Sequence, residues 1–122
     1  MCLYRTLAIA GLWSEWLNPQ TKGLLRTFSI VTTEANTLMQ HIHNNPKIKA
    51  PRMPVMLPKG LEDGWLHPIM DYADKKGIKE LIAPLPDGEL AAYPVARLRG
   101  KEYQGNVEGV SKEVYYAALS VS

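Results

Sequence analysis

The chain has 122 residues, 46% of them hydrophobic, which is enough for about one domain with a modest core. Fourteen Lys and Arg against twelve Asp and Glu leave a formal charge of +2, too small to argue for nucleic acid on its own. A single cysteine excludes an internal disulfide framework and a Cys-based zinc cluster, and it fits a reducing cytoplasm.

No apolar run approaches the ~18 residues of a membrane span. Met1-Cys2-Leu3-Tyr4-Arg5 leads into an alternating segment rather than a signal peptide, so a soluble cytoplasmic protein with no membrane partner is expected. Residues 4–17 read as a strand. Leu7, Ile9, Gly11 and Trp13 share one face while Ala8, Ala10 and Leu12 share the other, which predicts a central strand covered on both sides, with Trp13 in the core. Asn18-Pro19-Gln20-Thr21-Lys22-Gly23 is dense in turn formers. Residues 24–33 then resume with aromatic and β-branched side chains, and the two runs are expected to form an antiparallel hairpin.

Thr33 is placed to cap the next helix, with Glu34 in its first turn. Ala35, Leu38, Met39 and Ile42 follow helical spacing, and Pro46 stops the helix by Asn45. From residue 47 to residue 59 the chain carries Lys47, Lys49, Arg52 and Lys59 with no acid, a run that serves either as a phosphate-facing surface or as a solvated connector. Residues 53–57 read as a short strand, 61–66 as a brief helix, and 69–76 as a helix with Gly77 as its stop. Residues 78–85 are ambiguous between helix and loop. Asp87-Gly88 turns the chain into an expected strand over 90–98, and Val114-Tyr115-Tyr116 is the one packed element expected in the tail. No metal site is indicated: His67, before Pro68, has no sequence neighbour that completes a ligand set.

Gly11-Leu12-Trp13-Ser14-Glu15-Trp16, Thr32-Thr33-Glu34-Ala35-Asn36, Ile42-His43 and Arg52-Met53-Pro54 appear in that order. Together they resemble the SRAP family, the SOS-response-associated peptidases or abasic-site processing proteins. In that family a Gly-aromatic-aromatic-Glu-Trp strand precedes a Thr-x-x-Thr-x-x-Ala-Asn joint, then Ile-His, then Arg-Met-Pro. The resemblance implies an α+β fold, a mostly antiparallel sheet with short flanking helices, and a single domain over 1–122 that corresponds to the C-terminal portion of the family domain, its N-terminal portion absent. It implies no cofactor.

What the resemblance implies for chemistry centres on Cys2. In the family the initiator Met is removed, the α-amine of the exposed cysteine attacks the open-chain aldehyde of an abasic site in single-stranded DNA, and the thiol closes a thiazolidine. The same cysteine is held responsible for autoproteolysis. Cys2 lies only nine residues before Gly11, without the family's asparagine and DNA-contacting aromatics between them, so the alternative is a non-catalytic fragment that acts as a DNA-facing or partner-binding module. His43 takes the family's histidine position and would move protons, with His41 as its decoy. Glu15 would be the assisting carboxylate. The family's position for it is Ser14 here, and adjacent strand residues face opposite ways, so Glu15 reaches the site only through a one-residue bulge. Thr32 and Arg52 would contact DNA phosphates. A domain lacking its other half should also show an unprotected edge or apolar patch, open to self-association or to a complementing chain.

Overall fold

A computed structural model describes residues 6–119, in two compact units, one reaching to Glu89 and the other starting at Leu90. The first unit is organised by three chain segments that exchange partners. β1 (Ala8–Ile9) pairs antiparallel with β6 (Met56–Leu57), β2 (Gly11–Leu17) with β3 (Leu24–Ile30), and β4 (Thr32–Glu34) with β5 (Arg52–Pro54). Each segment switches partner at one residue, and the three switching residues close a ring. The N–H of Ala10 donates to the carbonyl of Val55 (2.9 Å), that of Val55 to Val31 (2.9 Å), and that of Val31 to Ala10 (3.0 Å). Buried backbone groups without partners are costly, and the ring gives each of these three residues a donor and an acceptor where the ladders change hands. Ala10 and Val55 are 1% and 0% exposed. With Leu57 they form the core, against which Ala8, Val31, Trp65 and Leu81 pack.

The expected hairpin forms. Asn18 sets its turn by accepting the N–H of Gln20 (2.9 Å) and of Thr21 (3.3 Å) on Oδ1, and its own N–H donates to the Gly23 carbonyl (2.9 Å). The register runs unbroken from Gly11 opposite Ile30 to Leu17 opposite Leu24. The strand is not the covered, central one that alternation suggested. β2 and β3 form a two-stranded ribbon with no buried residue, and Trp13 and Phe28, directly opposite each other, are 72% and 80% exposed. Alternation reports which residues share a face, and nothing among the described residues covers either face. Gly11 sits where the ribbon meets the core: a Cβ there would lie 3.3 Å from the Ser29 carbonyl, and its own carbonyl accepts the indole N–H of Trp65 (3.1 Å) from α2 (Glu62–Trp65).

The first long-range helix contact also departs from expectation. Thr33 is buried in β4 opposite Met53, and Glu34 is still in the strand opposite Arg52, so neither belongs to the helix. The cap of α1 (Thr37–Ile42) is Asn36, whose Oδ1 accepts the Met39 N–H (3.0 Å). Its Nδ2 donates to the Leu85 carbonyl (3.0 Å) in a buried setting. Asn36→Ala should therefore destabilise the chain by about 2–3 kcal/mol, from a lost cap and an abandoned buried carbonyl. Asn36→Ser keeps the cap and should lose about half of that, read from urea midpoints.

α3 (Tyr72–Glu80) begins at the cap Asp71, which accepts the Asp74 N–H (2.9 Å), and continues through Gly77 rather than stopping there. An interior glycine costs roughly 1 kcal/mol. Leu81, just past the helix, packs on the core and offsets that cost. Residues 82–89 are loop and turn.

In the second unit the expected strand over 90–98 is absent. Pro94 interrupts the run, and all that forms is a bridge between Val95 and Glu113, with the Val114 N–H on the Pro94 carbonyl (2.8 Å) and the Tyr116 hydroxyl on the Val95 carbonyl (3.1 Å). Val114 and Tyr116 are half-buried; Tyr115 is exposed. Two 3₁₀ turns, Glu108–Ser111 and Ala117–Leu119, complete it. The class is the expected α+β, with antiparallel strand pairs and short helices. No helix among the described residues is long and apolar enough to cross a membrane.

Candidate nucleic-acid interface

The strand–helix joint is built on the β4–β5 pair. Thr32 lies opposite Pro54 and Glu34 opposite Arg52, which puts all four on one face, while Thr33 and Met53 turn inward. The Arg52 side chain runs diagonally to Thr32, a reach that cross-strand neighbours two residues apart allow. Its Nε donates to Thr32 Oγ1 (3.0 Å) and its Nη2 to the Thr32 carbonyl (2.7 Å). A guanidinium carries five N–H donors. Two are directed at Thr32, which fixes the plane of the group and leaves the outer donors on an exposed, positively charged fork. The separation of Arg52 from Ile42-His43 by eight inserted positions did not keep it from Thr32, because β5 pairs with β4 directly.

The same joint is tied from a distance. Asp87 holds the start of α1, its Oδ1 accepting the Thr37 N–H (3.1 Å) and its Oδ2 the Thr37 hydroxyl (2.8 Å). With the Leu85 contact to Asn36, the loop that precedes the second unit is fastened across the helix N-terminus. Asp87 reads as a turn residue in sequence; its capping role spans 50 positions and leaves no local signal. His43 is the C-cap of α1, its N–H donating to the Met39 carbonyl (2.8 Å), and its side chain is exposed, as is that of His41. Among the described residues the hydrogen bonds of Arg52 go to Thr32 and not to either imidazole.

Glu15 requires a correction. The register is continuous through Ser14, so the bulge that would turn Glu15 toward the joint does not form. The carboxylate sits opposite Arg26 and accepts its Nε–H at 2.8 Å, an exposed ion pair of small energetic weight. Seven consecutive cross-strand pairs leave no place for the extra residue a bulge needs. Cys2 lies outside the described residues. Thr6 and Leu7, a few positions downstream, line a cleft of about 790 Å³ together with Pro58, Lys59, Glu62 and Glu89. Lys59 is the cation of that wall, and Glu62 is held by the Gly60 N–H (2.7 Å).

His67 does have a partner: its Nε2 lies 3.1 Å from Asp74 Oδ1. The Met70 N–H on Asp74 Oδ2 (3.0 Å), chiefly, and the His67 ring hold the Asp74 carboxyl below its ordinary value of 3.8. Among the described residues no three His, Cys, Asp or Glu side chains are grouped to hold a metal.

Comparison with known proteins points one way. Residues 4–101 match the family model described as SOS response associated peptidase (SRAP). The chain is 35% identical over 91 residues to the abasic site processing protein YoqW of Bacillus subtilis, a match covering 75% of this chain and 36% of the relative. It is 32% identical over 106 residues to YoaM of the same organism, covering 87% and 42%. A crystal structure of a Bacteroides thetaiotaomicron protein superposes with a TM-score of 0.70 at 26% identity, covering 89% of this chain and 44% of the other. The matched regions thus cover 36–44% of these relatives, and the chain spans about half their length.

Proposed function

The chain belongs to the SOS-response-associated peptidase family, and from that membership we propose that it acts on abasic sites in single-stranded DNA, with Arg52 and Thr32 on the phosphates and Cys2 as the group that bonds to the sugar. The observation that carries the DNA half of this reading is the Thr32-held guanidinium. A preoriented, exposed fork suits two phosphate oxygens at once, and Lys47, Lys49 and Lys59 add positive charge along the neighbouring connector. Removal of Met1 exposes an α-amine. The amine adds to the C1′ aldehyde of the opened sugar, water leaves to give an imine, and the Cys2 thiolate adds to the imine carbon as the nitrogen takes up a proton. The product is a thiazolidine that joins protein to DNA, and on this reading His43 trades protons during ring opening and dehydration. The abasic processing named for YoqW and YoaM supports this reading.

A second reading is favoured by one fact, the 36–42% of the relatives' length that the matches occupy. On it, this polypeptide is a DNA-facing or partner-binding module without catalysis of its own. Intact mass after incubation with an abasic oligonucleotide separates the two: an added DNA mass supports capture, and reversible binding without it supports the module.

Capture and DNA-facing binding alike make Arg52 a DNA contact. Arg52→Ala should weaken binding to a single-stranded abasic oligonucleotide on the order of tenfold and lower the slope of log affinity against log salt by about 0.7. Arg52→Lys keeps the charge and loses the two-pronged geometry, so its slope should stay near that of the parent while affinity falls. Fluorescence anisotropy across a salt series reads both, and an unchanged slope in Arg52→Ala would remove Arg52 from the interface.

A further inference from the structure

On the reading of Thr32 and Arg52 as phosphate contacts, we propose that Glu34 is the residue by which this site tells a baseless nucleotide from an intact one, its carboxylate accepting a hydrogen bond from the C1′ hydroxyl that only the abasic sugar carries. Register places Glu34 for this. It ends β4 directly opposite Arg52 and stands on the same exposed face as Thr32, while Thr33 and Met53 turn inward. Opposite charges directly across a ladder ordinarily attract and pair. Here they do not. The Arg52 guanidinium leans back along the strand to Thr32, and the ion pairs among the described residues join Glu15 to Arg26, His67 to Asp74 and Arg97 to Glu102, with Glu34 in none of them.

Two further features set the distance and the room. Thr32, where the guanidinium is held, and Glu34 lie two residues apart on one strand face, about 7 Å by strand rise, a spacing of the order of that from a phosphate to C1′ of its own nucleotide. Beside Glu34 the surface opens into a hollow of about 310 Å³ that Asn36, Thr37, Gln40 and Asp87 share. That volume is at the small end of ligand sites and suits a sugar without its base. The other acid of the hollow is already engaged, since Asp87 accepts the Thr37 N–H (3.1 Å) and the Thr37 hydroxyl (2.8 Å). Asn36 and Gln40 donate their amide N–H groups to the Leu85 and Ala35 carbonyls. Glu34 is therefore the charged acceptor left for a ligand. A carboxylate within a Debye length of a bound phosphate repels it, and a hydroxyl donor on the adjoining sugar converts that repulsion into a bond. An intact nucleotide has its glycosidic nitrogen at C1′ and offers no donor there. A site built to bond a hydroxyl rejects the analogue that lacks it.

The test is equilibrium binding, by fluorescence anisotropy, of the full chain to three single-stranded oligonucleotides that differ at one nucleotide: intact, with a tetrahydrofuran in place of the abasic sugar, and with an abasic sugar reduced to its C1′ alcohol. The alcohol keeps the hydroxyl and has no aldehyde, so no covalent step enters the measurement. The expected result is binding of the alcohol about tenfold tighter than of the tetrahydrofuran, a preference abolished in Glu34→Ala and reduced in Glu34→Gln, whose side-chain carbonyl is a neutral acceptor. Both variants should bind the intact strand more tightly than the parent does, because the repulsion is gone. Glu34 is exposed, and Glu34→Gln matches it in size, so the urea midpoint of that variant should equal the parent's. A parent that binds alcohol and tetrahydrofuran alike, or a preference that survives Glu34→Ala, overturns the proposal. Arg52→Ala is measured alongside. If it weakens binding of all three strands while Glu34→Ala leaves their ranking unchanged, Glu34 is removed and the DNA reading stands; if the parent binds none of the three, both are removed.

Discussion

Val55→Asp should abolish the cooperative unfolding transition of the chain. Val55 is fully buried, its N–H and carbonyl both belong to the three-residue ring, and its side chain fills the space among Ala10, Leu57, Trp65 and Leu81. Losing the valine side chain forfeits about 2 kcal/mol of burial. Placing a carboxylate there adds a desolvation cost of several kcal/mol with no cation among the core side chains to offset it. The sum approaches the whole stability of a small domain, roughly 5–15 kcal/mol. Val55→Ala, which keeps the ring and removes only methyl groups, should shift the transition by about 2 kcal/mol and leave it cooperative. Urea melts followed by tryptophan fluorescence and circular dichroism distinguish these outcomes, and a native midpoint for Val55→Asp would show that the ring is not where the fold is held.

That ring was not legible in the sequence. Ala10, Val31 and Val55 are ordinary apolar residues in three separate runs, and nothing local distinguishes a strand that keeps its partner from one that exchanges it. The hairpin was legible, because turn formers at 18–23 separate two runs with strand composition and the turn chemistry is carried by one residue, Asn18. The helix start was misplaced for a physical reason. Thr33 has the composition of a cap, yet pairing with Met53 and Arg52 extends the strand through Glu34 and passes the capping role to Asn36. Long-range pairing outranked local preference there, and its absence explains the reverse error over 90–98, where strand-forming residues found only a single bridge.

Of the candidate site, ordered motifs identified Thr32 and Arg52, and the structure brings these two together. Glu15 shows the limit of the same reasoning. A Glu-Trp pair displaced by one position looked like a bulge, but register is a property of two strands, and the partner residue Arg26 could not be inferred from the motif. Asp87 and Leu85, which fasten the joint from the far end of the unit, became visible only in three dimensions.

Capture of an abasic site should depend wholly on Cys2 and on removal of Met1. A thiazolidine takes its nitrogen and sulfur from one residue, and an α-amine and a thiol on the same residue occur only at an N-terminal cysteine. Cys2→Ala and a chain that keeps Met1 should therefore both give no heat-stable adduct. Cys2→Ala and Cys2→Ser each retain the α-amine, so each should form an imine that hydrolyses on heating rather than a ring that survives it. His43→Ala should slow the reaction by about two orders of magnitude without abolishing it, since proton transfer helps ring opening and dehydration but supplies neither new bond. Denaturing gels and intact mass over time on a single-stranded abasic oligonucleotide give the rate. An adduct that survives heating in Cys2→Ala would withdraw Cys2 from the mechanism.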